Sequence, residues 1–403
     1  MTSNHPRSRD LRARVERALD ARSSFFSSLQ SGARVTIAVP DATRPLDHHA
    51  TLIPLLERVM DQGAHPTILV ALGLHRAMTP SERAPLAEIC QQFSVPSIQT
   101  APREVGAVIC VEDDIGYDLD GVTLPLPASF DKAVVQADHI ICTGLVEPHQ
   151  YAGYSGGVKT VSIGCAGEQT ISAMHGLPYL RHPGTRLGQL EGNMFRQALR
   201  RLVRSLPPIH ALQVVPCEDP VVTFGPAEVA FEEAASHAAK TLFIEHETTY
   251  PWVALPVPSV KATNVYQSSR AASYVALAAR PVIEPGGWLL VEASCEEGMG
   301  EGAGEQAFAR ALERGFDAIW SEFQDLAYTQ ALHGGQQRAY VFAQVLSQYR
   351  MAWIGAPRQK SLEAFGVPQF DTRAEALEAL GLDRSAGLIA EDVFHRVPIL
   401  AAR

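Results

Sequence analysis

The chain has little of what would tie it to nucleic acid, a membrane or a cross-linked framework. Positive charge is the minority sign, since 34 Lys and Arg against 44 Asp and Glu leave a formal net charge of -10. Counterion-release binding needs clustered Lys and Arg, so nucleic acid and acidic membranes are not expected partners, local basic pockets aside. No apolar run approaches the roughly 20 residues of a spanning helix. The opening MTSNHPRSRDLRARVERALD lacks an apolar signal segment. A soluble, cytoplasmic protein is the expectation. The cysteines are few and scattered (Cys90, Cys110, Cys142, Cys165, Cys217 and Cys295), with no CxxC pair. Cys110 and Cys142 lie in the apolar runs AVIC and IICTG. Buried free thiols are therefore expected rather than disulfides or a structural zinc site.

What is present reads as α/β. At 403 residues, 46% of them hydrophobic, the chain has material for two or three domains. ARVTIAVP predicts a buried strand, TLIPLLERVMDQGA a helix and PTILVALG a second strand, the signature of a parallel sheet. Further strands are predicted over 107–111, 139–142 and 209–215, and helices over 81–91, 167–174, 193–204 and 227–241. PWVALPVPSVKATNVYQ is rich in proline and suits a domain junction. Beyond it a helix over 267–279, a strand over 288–293 and later helices suggest a smaller α/β unit. One of those helices, over 373–380, is announced by the capping pair Thr372 and Glu375. The expected architecture is two α/β domains with parallel-sheet cores, 1–248 and 249–403, and an active-site cleft between them.

Three polar clusters follow predicted strands, where open parallel sheets bind ligands. PDATRP supplies Asp41, Thr43 and Arg44, GLHR supplies His75 and Arg76, and GLVEPHQYAGYSGGVK supplies Glu147, His149 and Lys159. Each has a plainer reading. Asp41 and Thr43 suit a strand end and a helix cap, Arg44 an ion pair, and His75 or His149 a hydrogen-bonded loop position. The glycine-rich stretch excludes a phosphate-binding P-loop, because Val158 stands between Gly157 and Lys159 and no Gly-Lys dipeptide forms. A GxGxxG fingerprint is absent from it too. What remains is a bare backbone that lets a flat or phosphorylated group approach, with Lys159 at its end.

Taken in order, PDATRP, LGLHR, EPHQYAGYSGGVK, AMHG and LEGN resemble the nickel-pincer lactate racemase family, with weaker echoes at VYQSSR and VEASCEEGMG. The resemblance implies a nickel-pincer nucleotide, a nickel-bound pyridinium-3,5-bisthiocarboxylic acid mononucleotide. Lys159 would carry it covalently and His175 would ligate the nickel. It also implies His75 and His149 as acid/base residues, Arg44 as the substrate carboxylate's partner, and Asp41 and Thr43 beside the cofactor. Ser155, Gly156 and Gly157 would border the cofactor, and Tyr266, Gln267 and Arg270 the substrate. Proteins that build the cofactor are then implied partners. The chemistry suits these residue types. A C–H bond beside a carboxylate and a hydroxyl is too weakly acidic for a side-chain base, so the hydrogen must leave as hydride to an organic acceptor. Imidazoles then handle the hydroxyl proton.

The chain departs from the family at Val158, where Arg is frequent, and at Ile163-Gly164, where Pro-Gly is usual. Arg270 replaces the Lys of a Gln-x-x-Lys, a tryptophan expected near GGQQRAY is missing, and the segment before PDATRP is short. These departures leave the tether, nickel ligand and histidine pair in place and leave the substrate open among 2-hydroxy acids such as malate, hydroxyglutarate, aryl-lactates and aldonates. The alternatives are a divalent-metal hydrolase or lyase using the same histidines, against which no HExxH occurs, and a non-catalytic carrier of the cofactor.

Overall fold

The computed structural model of the protein describes residues 7–119, 121–259, 261–326, 332 and 335–402. The chain divides into two compact units. The first holds the chain up to Glu147 together with Tyr154–Met174 and Met194–Lys240, and the second holds Pro148–Gly153, His175–Asn193 and the chain from Thr241 onward. Among the described residues no helix is long and apolar enough to cross a membrane.

In the first unit, the strand Arg34–Pro40 is buried at every position after Arg34, and His139–Leu145 at every position after His139. Strands covered on both faces read as continuous apolar runs, which is why both were visible in the sequence. They lie side by side in a six-stranded sheet ordered Val221–Pro226, Ile209–Val215, His139–Leu145, Arg34–Pro40, His65–Ala71, Ser97–Gln99. All pairings are parallel except that of Val221–Pro226 with Ile209–Val215. The strands after Arg34–Pro40 extend the sheet one way, and those after His139–Leu145 extend it the other. The order therefore reverses between these two neighbours, and the crevice above their carboxyl ends is where such sheets hold ligands.

Helices pin the strand-end loops. His48–Met60 begins at Asp47, whose side chain accepts from the Ala50 amide. It buries Leu52, Leu55, Leu56 and Val59 completely, each worth about 1.5–3 kcal/mol. Pro80–Phe93 begins with a capping box between Thr79 and Glu82. The expected strand near 107–111 forms as Val108–Glu112, but it pairs antiparallel with Ala128–Asp131 outside the main sheet. Its half-exposed side chains suit an edge ribbon rather than a core strand.

The second unit has a five-stranded parallel sheet ordered Gln369–Phe370, Arg350–Ile354, Ile283–Glu292, Tyr250–Pro256, Leu388–Ile389. Tyr250–Pro256 lies in the stretch that reads as a proline-rich junction. Its prolines stand near the strand ends, where a missing N–H is tolerated, and Trp252–Leu255 between them is buried. The helices Val265–Ser268, Arg270–Ala276 and Gln336–Leu346 belong to this unit. The expected helix near 373–380 forms as Arg373–Ala379, capped by Thr372.

Candidate active site

In the first unit the chemistry gathers at the carboxyl ends of the sheet, beside its switch point. Asp41 follows Arg34–Pro40 directly and is buried. One of its oxygens, Oδ2, lies 2.7 Å from His75 Nδ1. The other accepts from the Thr43 amide at 3.2 Å and the Thr43 hydroxyl at 2.6 Å. Burial alone would raise the Asp41 carboxyl, but His75 and Thr43 together hold it below the usual carboxylate range. An ionised Asp41 requires the His75 hydrogen on Nδ1, which leaves Nε2 with a free lone pair. The His75 side chain is itself more than half exposed.

Arg44 reaches across the switch point, with Nη1 3.3 Å from Oε2 of the buried Glu147. Lys159 opens the short helix Lys159–Ser162. Its amine is hemmed in by protein yet the residue is partly open, and among the described residues no ion pair holds it. Burial pushes its pKa down to about 7, helped by the charges of Arg44 and Arg196 and opposed by Asp41. Gly164, one turn on, accepts from the Gly73 amide at 3.0 Å, tying the lysine turn to the loop that carries His75.

The Ser155-Gly156-Gly157 stretch is occupied by its own chain. Ser155 Oγ donates to the Leu145 carbonyl at 2.7 Å and accepts from the Glu147 amide at 3.0 Å. The Gly157 amide donates to Gln213 Oε1 at 2.7 Å. Both glycines have positive φ, and a Cβ on Gly156 would run into Gln213 and Val146, one on Gly157 into Arg196 and Phe231. Packing against the sheet thus requires glycine here, which is a reason the motif itself did not disclose. Arg196 is buried, paired with Glu228 and stacked 3.4 Å over Phe231. No local pattern marked Arg196 or Gln213.

The remaining expected residues fall in the second unit. His149 Nδ1 accepts from the amides of Tyr151 and Ala152, each at 3.2 Å. Two N–H groups aimed at one ring atom require a lone pair there, so the hydrogen of neutral His149 sits on Nε2. His149 and His75 thus hold opposite tautomers. The His175 ring packs edge-on against Tyr151, centroids 5.9 Å apart, and the Tyr151 hydroxyl accepts from Gln337 at 2.6 Å. Asn193 of LEGN is fully buried and donates to the Tyr151 carbonyl at 2.8 Å, so that motif shapes the histidine loop. Arg270 donates to Gln267 Oε1 at 2.6 Å and lies 5.6 Å from the Tyr266 ring centroid.

A metal already held by its own cofactor would need a single imidazole from the protein, the place that the resemblance gives to His175. Among the described residues no group of three or more His, Cys, Asp or Glu side chains is placed to hold a metal by itself. A deprotonable lysine at the switch point likewise suits a covalent tether.

Comparison with known proteins bears on the same stretch. The sequence family described as the lactate racemase N-terminal domain matches residues 1–188. A lactate racemase of Thermoanaerobacterium thermosaccharolyticum is 32% identical over 163 residues, 40% of this chain and 36% of that protein. A lactate racemase of Lactiplantibacillus plantarum is 25% identical over 298 residues, 71% of this chain and 66% of that protein. The matched stretches therefore span about a third of the first relative and just under two thirds of the second. In fold, the chain is similar to the lactate racemase apoprotein of T. thermosaccharolyticum, with a TM-score of 0.80 at 20% identity over 96% of this chain and 92% of that one. A protein from Thermotoga maritima superposes with a TM-score of 0.73 at 13% identity, covering 96% of this chain and 98% of that one.

Proposed function

Residues 1–188 match the lactate racemase N-terminal domain, and we propose that the chain is a member of that family, a racemase or epimerase inverting C2 of a 2-hydroxy acid. The observation that carries this reading is the Asp41–His75 pair set beside Arg44 and a readily deprotonated Lys159 at the switch point. Lys159 would hold the nickel-pincer nucleotide covalently, and His175 would give the nickel its imidazole. When bound, that group supplies the hydride acceptor that no side chain offers.

The chain's own residues do the rest. Arg44, kept in place by Glu147, presents its remaining N–H groups to the substrate carboxylate. His75 takes the hydroxyl proton on Nε2, and Asp41 stabilises the imidazolium that results. Loss of hydride from C2 and of the hydroxyl proton leaves a planar 2-keto acid, and their return to the opposite face gives the other enantiomer. His149 carries its hydrogen on Nε2 and is the proton carrier for the second face.

The test is intact-protein mass spectrometry with metal analysis on protein made together with cofactor-synthesis proteins, followed by chiral chromatography of single-enantiomer 2-hydroxy acids. An adduct on Lys159, about one nickel per chain and inversion of at least one acid are expected. Lys159→Ala should carry no adduct. Zinc without an adduct would sink the reading in favour of a metal hydrolase, and an adduct with no inversion would leave only a cofactor carrier.

A further inference from the structure

The first unit has a second gathering of unsatisfied polar groups, at the end of its sheet opposite the catalytic loops. His139 opens the strand His139–Leu145, and His210 stands second in its neighbour Ile209–Val215. His210 pairs with Ile141, two residues on from His139, so the alternation of strand side chains puts both rings on one face. Phe25, from the short helix Ser23–Ser27, lies over them. Its ring stacks on His210 with centroids 3.8 Å apart and meets His139 edge-on at 6.1 Å. Beside this stack opens a cavity of about 410 Å³, with Arg22, Ser24, Phe25, Pro208, His139 and His210 in its lining. That volume falls within the roughly 300–1,000 Å³ of small-molecule sites. The strand from His139 to Leu145 spans about 20 Å, so this cavity is a different place from the crevice that holds Asp41 and Lys159.

The side chains that face this cavity offer hydrogens. Nδ1 of each histidine is buried without a partner, and among the described residues neither ring makes a hydrogen bond. A hydrogen on the enclosed Nδ1 would have no acceptor, so it belongs on Nε2, at the open edge of each ring. Burial, with help from His139, pushes His210 down to about 4, which keeps that ring neutral with its one hydrogen outward. Arg22 lies across Gly225, its Nε 3.5 Å from where a Cβ on that glycine would stand. Among the described residues its guanidinium has no ion pair or hydrogen bond. Arg338 of the second unit shows the contrary case: it is 4% exposed, and its N–H groups go to the neutral side chains of Ser269, Gln150 and Ser273. Arg22 is exposed, and its fork is unused. No carboxylate lines the cavity, and Asp138, next to His139, is already held by Arg34.

We propose that this cavity binds a small organic carboxylate, Arg22 and the two Nε2–H groups holding its oxygens while Phe25 and Pro208 flank its apolar part. The planar fork of Arg22 matches a carboxylate in two parallel bonds. A cation finds no counter-charge in the lining, and a purely apolar ligand would leave the donors unanswered. The site owes nothing to the racemase reading.

Isothermal titration of the full chain with benzoate, benzamide and inorganic phosphate tests this. It is run on the unaltered protein and on Arg44→Gln, which removes the carboxylate partner assigned to the catalytic loops. Benzoate should bind at least about tenfold tighter than its uncharged isostere benzamide, and that preference should survive Arg44→Gln. Arg22→Gln should bring the two ligands level. Arg22→Lys should restore only part of the preference, since an ammonium offers no fork. Nitrogen spectra of the histidine side chains then locate the ligand. Benzoate should shift the Nε2 signals of His139 and His210, which are assigned by their loss in His139→Gln and His210→Gln. Absence of benzoate binding overturns the proposal. So does binding that Arg44→Gln abolishes and Arg22→Gln leaves untouched, or binding that moves neither histidine signal. Phosphate that equals benzoate in an Arg22-dependent way overturns the organic carboxylate as the occupant, because the apolar wall then contributes nothing.

Discussion

His75 and His149 differ in which nitrogen carries the hydrogen, and that difference can be measured. The Asp41 carboxylate fixes the His75 hydrogen on Nδ1, whereas the Tyr151 and Ala152 amides fix that of His149 on Nε2. In the proposed reaction His75 begins as the base and His149 as the acid. Enantiomers have equal free energy, so a variant of either histidine must lower kcat/KM equally in both directions of a true racemisation. The roles separate only in the half-reaction. With cofactor-loaded protein in a single turnover, His75→Ala should lose 2-keto acid formation from one enantiomer by about 100-fold or more. His149→Ala should hit the other enantiomer harder. Equal losses from both enantiomers in both variants would sink the assignment of one histidine to each face.

Lys159 supports a second prediction at this scale. Its amine is pushed down to about 7 by burial first and the Arg44 charge next. Acylation of protein lacking cofactor, followed by peptide mass mapping, should show Lys159 reacting with a midpoint near pH 7. Exposed lysines should follow the ordinary value of about 10.4. Arg44→Gln removes a neighbouring positive charge that disfavours the ammonium, so the Lys159 midpoint should move up. A midpoint that stays put, or moves down, would remove Arg44 from the lysine's surroundings.

At the scale of elements, the glycine pair before Lys159 is set by packing, and its contribution can be isolated. Gly156 and Gly32 have nearly the same φ, 85° and 84°, yet a Cβ on Gly32 meets nothing within 4 Å while one on Gly156 overlaps Gln213 and Val146. Gly32→Ala should therefore lose about 1–2 kcal/mol for the left-handed backbone alone. Gly156→Ala should lose about 2–4 kcal/mol once overpacking is added. Urea denaturation of both variants checks this, and equal losses would show that the loop can yield.

The same elements show what was legible in the sequence. Apolar runs giving way to Asp41 and, four residues past Ala71, to His75 marked two strand ends, because the buried stretch of such a strand admits no charged side chain until it leaves the sheet, the Thr36 hydroxyl being bonded to the Ala133 carbonyl. The order of the strands was hidden. It depends on pairings such as Val35 with His139, more than a hundred positions apart, which no local pattern encodes. The strand Tyr250–Pro256 was masked by its own prolines, whose effect at a strand end differs from their effect inside one. Segments 148–153 and 175–193 pack with chain far downstream, so the partition into units was equally unreadable. Arg338 lies in GGQQRAY, a stretch read only for its missing tryptophan, and its burial and neutral partners are what single it out.

At the scale of the whole molecule, two half-buried histidines bear on how the protein meets acid. Burial pushes His48 down to about 4, with Asp47 opposing and His49 assisting, and it pushes His210 down to about 4 with help from His139. Both sit in the first unit, His48 at the start of the helix His48–Met60 and His210 in the strand Ile209–Val215. In the unfolded chain each titrates near 6.5. Between pH 6.5 and 4 the unfolded state thus binds protons that the folded state refuses, so stability must fall as pH falls through that window and level off below it. The Asp41 carboxyl acts lower down, since its folded value lies below the ordinary one, and its contribution is lost only as the pH drops beneath the usual carboxylate range. Thermal melts from pH 8 to 4 should therefore show the first unit losing stability from pH 6.5 downward. A His48→Gln, His210→Gln double variant, compared with its own melt at pH 8, should have a visibly flatter profile over that window. An unchanged slope would mean that the two imidazoles reach water in the native state and leave acid sensitivity to the carboxylates.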